Sequence, residues 1–183
     1  NAFANTSSSL LISKIQGNIV DTLMPPLSPG ELTVGYMLGG VVRGVVVAVT
    51  VAVVVFPFIG LGVAHPVWAL AIVLASATLM SLLGLLAAVV AQKFDQMSMV
   101  TNFVVTPLSF LSGTFYSIEV LPGWLQAVSH ANPFFYMIDG ARFAVLGTSD
   151  SSPLLGLVFI LVVDMALGLL AWSWFRSGYR LKP

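Results

Sequence analysis

The sequence predicts an all-α membrane protein: a polytopic bundle with four membrane-spanning helices and one re-entrant helical hairpin that faces outward. Of its 183 residues, 58% are hydrophobic and only 8% are charged, whereas soluble domains have about 25% charged residues. Two stretches, residues 44–64 and 66–92, contain no charged residue, and each is long enough to cross a bilayer as a helix. Further apolar stretches follow, so we expect the chain to be embedded in membrane lipid.

The composition excludes several classes of function. The formal net charge is zero, which does not favour a nucleic-acid partner, and the absence of cysteine excludes disulfides and thiolate metal sites. Neither the phosphate-binding pattern G-x-x-x-x-G-K-[ST] nor the zinc pattern H-E-x-x-H occurs. His65 and His130 fall in predicted outward turns, where they are not expected to hold a haem. We therefore expect no enzyme activity, cofactor or metal in this chain.

The first stretch of the chain is predicted to end at the water side of the membrane. Residues 1–13 are expected to be the inner end of a membrane helix, and Lys14 marks its polar edge. Ile15, Ile19 and Leu23 then recur at helical spacing with polar residues between them, which predicts a short amphipathic helix at the interface. The proline pair that follows ends this helix. An ordinary juxtamembrane helix resting on the lipid surface is the alternative.

The next helix has a clear start signal and leads into the first span. Ser28 is placed to cap it, with Pro29 at the first helical position and Glu31 at the third. The span itself is predicted over residues 44–64, with Arg43 at its lower edge. Arg43 is expected either to extend toward the inner interface or to pair within the bundle. Small residues in a row favour close helix contacts here: Gly35, Gly39, Gly40 and Gly44.

The second and third spans differ in polarity. The second is predicted over residues 69–91, and the short connection at residues 65–66 makes it an antiparallel neighbour of the first. The third, residues 97–117, carries several hydroxyl and amide groups and is interrupted by Pro107 and Gly113. Polar and helix-breaking residues at membrane depth are tolerated where they face protein or water. We therefore expect the third span to line a path; helix packing is the alternative role.

The fourth span is predicted over residues 153–175 and carries a carboxylate, Asp164, at its middle. Ionisable residues at membrane depth are costly and mark functional sites, although a protonated or hydrogen-bonded aspartate in a helix contact is the alternative. With four spans the polar turns alternate sides, and the side richer in cations is cytoplasmic. Five cations fall on that side and one on the other: Lys14, Lys93, Arg176, Arg180 and Lys182, against Arg142.

The segment between the third and fourth spans is too polar to cross the membrane and too aromatic for a free loop. Its glycines, prolines and asparagine are interleaved with tryptophan, phenylalanine and tyrosine, and aromatic residues of this kind favour the membrane interface. We predict an outward re-entrant hairpin over residues 121–147, made of two short helices that are broken at Asn132 and Pro133. Asp139 and Arg142, three residues apart, would share a face of the second helix and are positioned to pair.

Four stretches together resemble the permease subunits of type-2 ABC exporters, of the small bacterial inner-membrane kind. The first two are residues 18–24 and the P-L-S-P-G-E turn at residues 26–31, which resemble the helix that docks into the ATPase. The others are the run P-L-S-F-L-S-G-T-F-Y at residues 107–116 and the stretch L-Q-A-V-S-H-A-N-P-F-F-Y-M-I-D-G-A-R at residues 125–142. The resemblance covers residues 1–183 as one transmembrane permease domain.

The resemblance implies an architecture and a set of partners. A subunit of this family has six spans, so two spans are expected to precede Asn1. The permease is expected to form a homodimer in the bacterial inner membrane and to couple to a separate ATPase, which binds the ATP. Where the family often carries an acidic pair, the docking helix here has a single carboxylate, Asp21. A non-transporting membrane scaffold or assembly factor is the alternative function, and no substrate is predicted.

The candidate functional residues fall into three groups. The coupling helix and turn, residues 15–31, are expected on the cytoplasmic side, and the path and its outward gate are expected on the third span and the hairpin. The predicted ATPase-coupling residues are Gln16, Asn18, Ile19, Asp21, Leu23 and Met24; the predicted path or gate residues are Thr106, Ser109, Phe110, Phe135 and Tyr136; and the predicted intramembrane charges are Arg43 and Asp164.

Overall fold

The computed structural model describes residues 1–19, 27–60, 62–113 and 122–180, and the regular structure within these ranges is entirely helical. This agrees with the predicted all-α class. The helices bounded within the ranges are α1 Ala2–Ile15, α2 Pro29–Ile59, α3 Pro66–Val90, α4 Phe94–Val100, a π-helical segment Thr101–Val105, α5 Thr106–Phe110, α6 Gly123–His130, α7 Pro133–Leu146 and α8 Pro153–Ser177.

Three helices in the described ranges are long and apolar enough to cross a membrane: α2, α3 and α8. The predicted third span is not among them. Its described part is the succession of α4, the π-helical segment and α5, followed by a turn at residues 111–113. Pro107 accounts for the irregularity, because it has no N–H to continue the α-helical pattern. Immediately before Pro107, the Thr106 N–H bonds to the carbonyl of Thr101, five residues back.

The start of α2 differs from the predicted start of the first span. The helix begins at Pro29, well before residue 44, because Ser28 and Glu31 form a capping box. The Glu31 N–H donates to Ser28 Oγ at 3.3 Å, and the Ser28 N–H donates to Glu31 Oε2 at 2.6 Å. The predicted span began at residue 44 because it was defined by the absence of charged residues. The helix itself includes Glu31 and Arg43 and therefore begins earlier. The helix ends at Ile59, and Gly60 caps it with a positive φ of 69°.

The bundle is built around α3, which packs against α1, α2, α7 and α8. Its contact with α1 is the closest. A Cβ added at Gly84 would lie 2.5 Å from the carbonyl oxygen of Phe3, so glycine permits the backbones to approach. Leucines from both helices, including Leu10 and Leu85, are fully buried there. Thus α3 is the central helix of the described bundle.

The two ends of the bundle differ in chemistry. At one end lie Lys14, the start of α2, the end of α3 and Arg180. At the other end, the turn between α2 and α3 bonds to the end of α7, where the His65 N–H donates to the carbonyl of Ala144 at 2.9 Å. Because cations mark the cytoplasmic side, we assign the end with Lys14 and Arg180 to the cytoplasm. Helices α1, α3 and α8 run toward it, and α2 runs away from it.

Candidate functional site

Two cations close the cytoplasmic end of α3. Lys14 Nζ donates to the carbonyls of Ala88, Val89 and Ala91, at 3.1, 2.8 and 2.8 Å. Arg180 adds a longer bond of 3.4 Å to the carbonyl of Val90. The last carbonyls of a helix have no partner within it and carry partial negative charge. Burial lowers the pKa of Lys14, and the nearby Arg180 guanidinium lowers it further. The pair ties α1 and the end of α8 to the terminus of α3.

The predicted coupling segment starts directly after this contact. Gln16, Gly17 and Asn18 form a turn in which Gly17 has a positive φ of 75°, and Gln16 and Asn18 are exposed. Ile19 is only 3% exposed and packs in the core formed by α1 and α3. The remaining predicted coupling residues lie outside the described ranges: Asp21, Leu23 and Met24.

The predicted path residues on α5 bond to their own helix. Thr106 Oγ1 donates to the carbonyl of Thr101 at 2.9 Å, and Ser109 Oγ donates to that of Val105 at 2.8 Å. Phe110 is 53% exposed. Hydroxyls that return to the backbone in this way are satisfied without water. These three residues would line a path only if their surface of α5 faces the transported solute.

The predicted gate residues on the hairpin are packed together. Phe135 is 1% exposed, and its ring meets those of His130 and Tyr136 edge-on, with centroids 5.2 and 5.0 Å apart. Tyr136 packs on Phe159 of α8 and on Gly156, where an added Cβ would lie 2.9 Å from the Tyr136 ring. In this structure the aromatic cluster joins α6 and α7 to α8.

The break between α6 and α7 is held against the end of α5. Asn132 Nδ2 donates to the carbonyl of Leu108 at 2.7 Å, and Ser129 Oγ donates to that of Leu111 at 2.9 Å. The Asn132 side chain also caps α7 by accepting from the Phe134 N–H at 3.0 Å. These bonds satisfy carbonyls that lose their helical partners where α5 ends.

Asp139 has a stronger set of partners than its spacing to Arg142 predicts. Its carboxylate accepts from the Asp150 N–H at 2.7 Å, the Ser151 N–H at 3.0 Å and Ser151 Oγ at 2.7 Å. Arg142 lies 3.7 Å from Asp139 but only 2.7 Å from Asp150, and it also donates to the carbonyl of Gly113. The network joins α7, the entry to α8 and the turn after α5 at the outward end. The spacing of residues along the sequence does not predict the contacts of Asp139 with Asp150 and Ser151.

An apolar groove of about 530 Å³ runs between α1, α3, α8 and the helices α4 and α5. Near the hairpin it is lined by Pro133 and Phe134, and toward the cytoplasm by Gln96 and Arg180. Its walls include Leu83 of α3 and Leu108 of α5. The groove separates the predicted third span from the centre of the bundle.

The two predicted intramembrane charges lie on different sides of α3. Asp164 is 8% exposed and shares the buried face of α8 with Ile160 and Ala171. Neither of its oxygens has a hydrogen-bond partner in the part of the chain that the structure describes. It faces protein near the middle of α8. Burying a carboxylate without a partner is costly, so Asp164 does not stabilise this packing.

The sequence analysis put Arg43 at the lower edge of its span, whereas in the structure it lies well inside α2. Because α2 begins at Pro29, Arg43 falls near the middle of the helix, about 21 Å along its axis at about 1.5 Å per residue. Its guanidinium donates to Asn5 Oδ1 of α1 at 2.9 Å, so it is bonded within the bundle. The sequence analysis did not identify Asn5 as the partner of Arg43, because the two residues are 38 positions apart in the chain.

Long apolar helices and a cytoplasmic end closed by cations define the class: a multi-pass membrane protein. The profile of the ABC-2 type transporter family matches residues 1–146, and the chain belongs to that family. The inner membrane transport permease YadH of Escherichia coli K12 is 40% identical to it over 183 residues, which are 100% of this chain and 71% of that protein.

Two other relatives match shorter stretches. The daunorubicin resistance ABC transporter permease protein DrrB1 of Streptomyces coeruleorubidus is 36% identical over 61 residues, 33% of this chain and 22% of that protein. Nodulation protein J of Neorhizobium galegae is 34% identical over 65 residues, 36% of this chain and 25% of that protein. No solved structure matches. The chain is thus an inner-membrane transport permease, and its family implies an ATPase partner.

Proposed function

We propose that this chain is the transmembrane subunit of an ATP-driven exporter, a homodimer that forms the translocation path while separate subunits bind and hydrolyse ATP. In this proposal residues 1–183 are one permease domain without catalytic residues or cofactors of its own. The observation that carries it is the position of the coupling segment, which leaves α1 beside the cation-capped end of α3 and returns at the capping box of α2. Family membership supports the ATPase partner.

The coupling segment, residues 15–31, is proposed to receive the movement of the ATPase. Ile19 anchors it in the core with Leu10 and Leu11, whereas Gln16 and Asn18 face outward. At its other end the Ser28–Glu31 capping box makes the chain rigid where α2 begins. A push on the segment would therefore shift α1 and α2 against α3 between two packed arrangements, as two-state transport requires.

The hairpin, residues 121–147, is proposed to enter the membrane from the outward side and return. Its Ala144 end contacts the α2–α3 turn, while Phe134 shares a groove with Leu83. From Ala144 back to Pro133, α7 extends about 17 Å into the bundle at about 1.5 Å per residue. Backbone at that depth must find partners inside the protein, and Asn132 and Ser129 provide them. In the same proposal α4, the π-helical segment and α5 belong to a fourth span.

The outward gate is proposed to form where this hairpin meets α5. Phe135 and Tyr136 hold the hairpin to α8, while the Asn132 bond holds it to α5. Thr106, Ser109 and Phe110 are on the same short helix. When the ATPase moves the spans, the hairpin and α5 would separate at these contacts and open the outward side.

Crosslinking tests the coupling proposal, because the chain has no cysteine of its own. The Asn18→Cys permease, co-expressed with the ATPase encoded beside it, should crosslink to that ATPase. Ile19→Cys is the matched control: its side chain faces the core, so it should crosslink weakly or not at all. If Asn18→Cys reacts with soluble reagents, does not crosslink and leaves transport intact, the segment does not dock an ATPase. A permease that binds no ATPase would favour a membrane scaffold.

A further inference from the structure

Arg43 is a cation at the mid-depth of the bundle. Its neighbour Gly44 packs against Ala77, so that an added Cβ would be 3.1 Å from the Ala77 side chain, and Ala77 lies near the middle of the 25-residue α3. The Arg43 side chain is exposed. Its one hydrogen-bond partner among the described residues is Asn5, and no described carboxylate forms an ion pair with it.

An arginine in this position does not face lipid at low cost. Even the lenient insertion scale assigns about 2.5–3.5 kcal/mol to an arginine at the centre of a membrane helix. A guanidinium has five N–H donors and cannot lose its charge, so one amide from Asn5 leaves most of its bonding capacity unused. Its bond to α1 also holds it away from the inner interface. The face of the bundle that carries Arg43 therefore meets water or another polar group.

Polar side chains of α1 lie beside Arg43, and a separate polar cleft lies between α1 and the helices that follow α3. Beside it on α1 lie the partly exposed Asn5 and Ser8. On α2, Gly35 has nothing within 4 Å of an added Cβ, and at Gly39 the nearest atom is Asn5 Nδ2 at 3.9 Å. Between α1 and α4 lies a cleft of about 320 Å³ whose polar lining comes from Ser7, Ser8, Ser98, Thr101 and Asn102.

The described carboxylates are all placed elsewhere. Glu31 caps α2 at the cytoplasmic end, and Asp95 lies in the first turn of α4. Asp139 and Asp150 belong to the outward network, and Asp164 faces the core. The face of α1 and α2 around Arg43 therefore carries a positive charge at mid-depth without a described negative charge to balance it.

We propose that this face lines a water-filled path and that Arg43 recognises the anionic group of the solute, so that the exported substrate is an anionic, hydrogen-bonding compound bearing a carboxylate or a phosphate. The inference rests on the proposed export function. A fixed cation in a confined, low-dielectric path concentrates anions and repels cations. The Asn5 amide and the Ser8 hydroxyl of α1 supply neutral hydrogen bonds to the rest of such a solute.

Charged thiol reagents test this directly and need no ATPase, so the result is independent of the coupling proposal. A side chain fits at Gly39, one turn before Arg43. The full-length Gly39→Cys permease in liposomes is treated with the anionic sulfonatoethyl and the cationic trimethylammonium-ethyl methanethiosulfonates. We expect the ratio of the anionic to the cationic reaction rate at Gly39→Cys to be about tenfold higher than the same ratio for a free thiol. Met165→Cys, 70% exposed among the apolar side chains of α8, is the control and should react with neither reagent.

The variants at Arg43 complete the test. In the Gly39→Cys background, Arg43→Gln should abolish the preference for the anionic reagent, and Arg43→Lys should retain it. Gly35→Cys, where an added side chain meets no atom within 4 Å, repeats the measurement at a second position. Protection of both cysteines from both reagents would show that lipid or protein covers this face and would overturn the proposal. A preference that is absent, or is unchanged by Arg43→Gln, would overturn it as well.

Discussion

The hydroxyl oxygens of Thr6 and Ser81 lie 2.7 Å apart in a buried hydrogen bond between α1 and α3. Ser81 Oγ also donates to the carbonyl of Met37 on α2 at 2.9 Å, so three helices meet at one pair of hydroxyls. Gly40 of α2 lies against both side chains, and a Cβ added there would overlap their oxygens. The site is therefore closely packed and polar at the centre of the bundle.

Gly40→Ala should destabilise the permease, because the new methyl group would force Thr6 and Ser81 apart. Overpacking of this kind typically costs about 1–3 kcal/mol. Gly39→Ala is the matched control, since its added methyl group would lie 3.9 Å from the nearest atom. Thermal unfolding in detergent measures both variants. Equal melting temperatures for the two would show that α2 does not pack on α1 and α3 as described.

Asp139 and Asp164 should respond differently to loss of charge. Asp139→Ala removes three hydrogen bonds and leaves the backbone before α8 without its acceptor, so we expect a loss of about 2–4 kcal/mol from the free energy of unfolding. Asp164→Asn should be tolerated and Asp164→Leu neutral or stabilising, because the carboxylate has no described partner. Asp164→Lys should prevent stable folding.

Expression and thermal stability of these four variants provide the measurement. If Asp164→Leu unfolded as readily as Asp139→Ala, the Asp164 carboxylate would have a partner that compensates for its burial. Equal stability of Asp164→Asn and Asp164→Lys would place the side chain in water and not at membrane depth.

Lys14→Met should lower stability and weaken coupling to the ATPase. The substitution keeps most of the apolar stem but leaves the carbonyls of Ala88, Val89 and Ala91 without their shared donor; an unsatisfied buried polar group costs about 1–3 kcal/mol. Lys93→Met, at an exposed position on the same end, is the control for charge. ATPase activity of the reconstituted complex, alongside thermal unfolding, separates the two effects. Indistinguishable variants would mean that charge, and not capping of α3, is what matters at this end.

The two aromatic residues of the hairpin should have different roles, Phe135 in packing and Tyr136 in gating. Sequence alone predicts that Phe135→Ala or Tyr136→Ala changes transport without changing assembly. Since Phe135 is 1% exposed, we now expect Phe135→Ala to cost about 3–5 kcal/mol in stability. Tyr136 is only partly buried, so Tyr136→Ala should alter the basal ATPase rate while the complex still assembles. A normal ATPase rate and normal transport in assembled Tyr136→Ala would remove the hairpin from the gate.

Accessibility labelling along the hairpin tests its depth. Single cysteines at exposed positions such as Trp124 should react from the outward side only, and cysteines at Ser129 or Phe134 should be protected. Labelling of Asn132→Cys from the cytoplasmic side would mean that the segment spans the membrane and that the orientation of α8 is reversed.

Features that depend on nearby residues were predictable from sequence. Ser28 and Glu31 form the capping box that their spacing predicts, and the hairpin helices break at Asn132 and Pro133. Both follow from local chemistry: a side chain that caps its own helix, and a proline that has no N–H to donate. Long apolar stretches likewise sufficed to predict α3 and α8, because crossing a bilayer demands that composition.

Features that depend on distant partners were decided by the tertiary structure. The spacing of Asp139 and Arg142 predicted a pair, but hydrogen bonds to Asp150 and Ser151 outweigh it, because those backbone donors are brought in by the start of α8. The sequence analysis placed Arg43 at the edge of the first span, because the stretch without charged residues was its only measure of membrane depth. Its actual level is set by packing of α2 on α1 and α3, and contacts between residues far apart in the chain leave no periodic pattern along it.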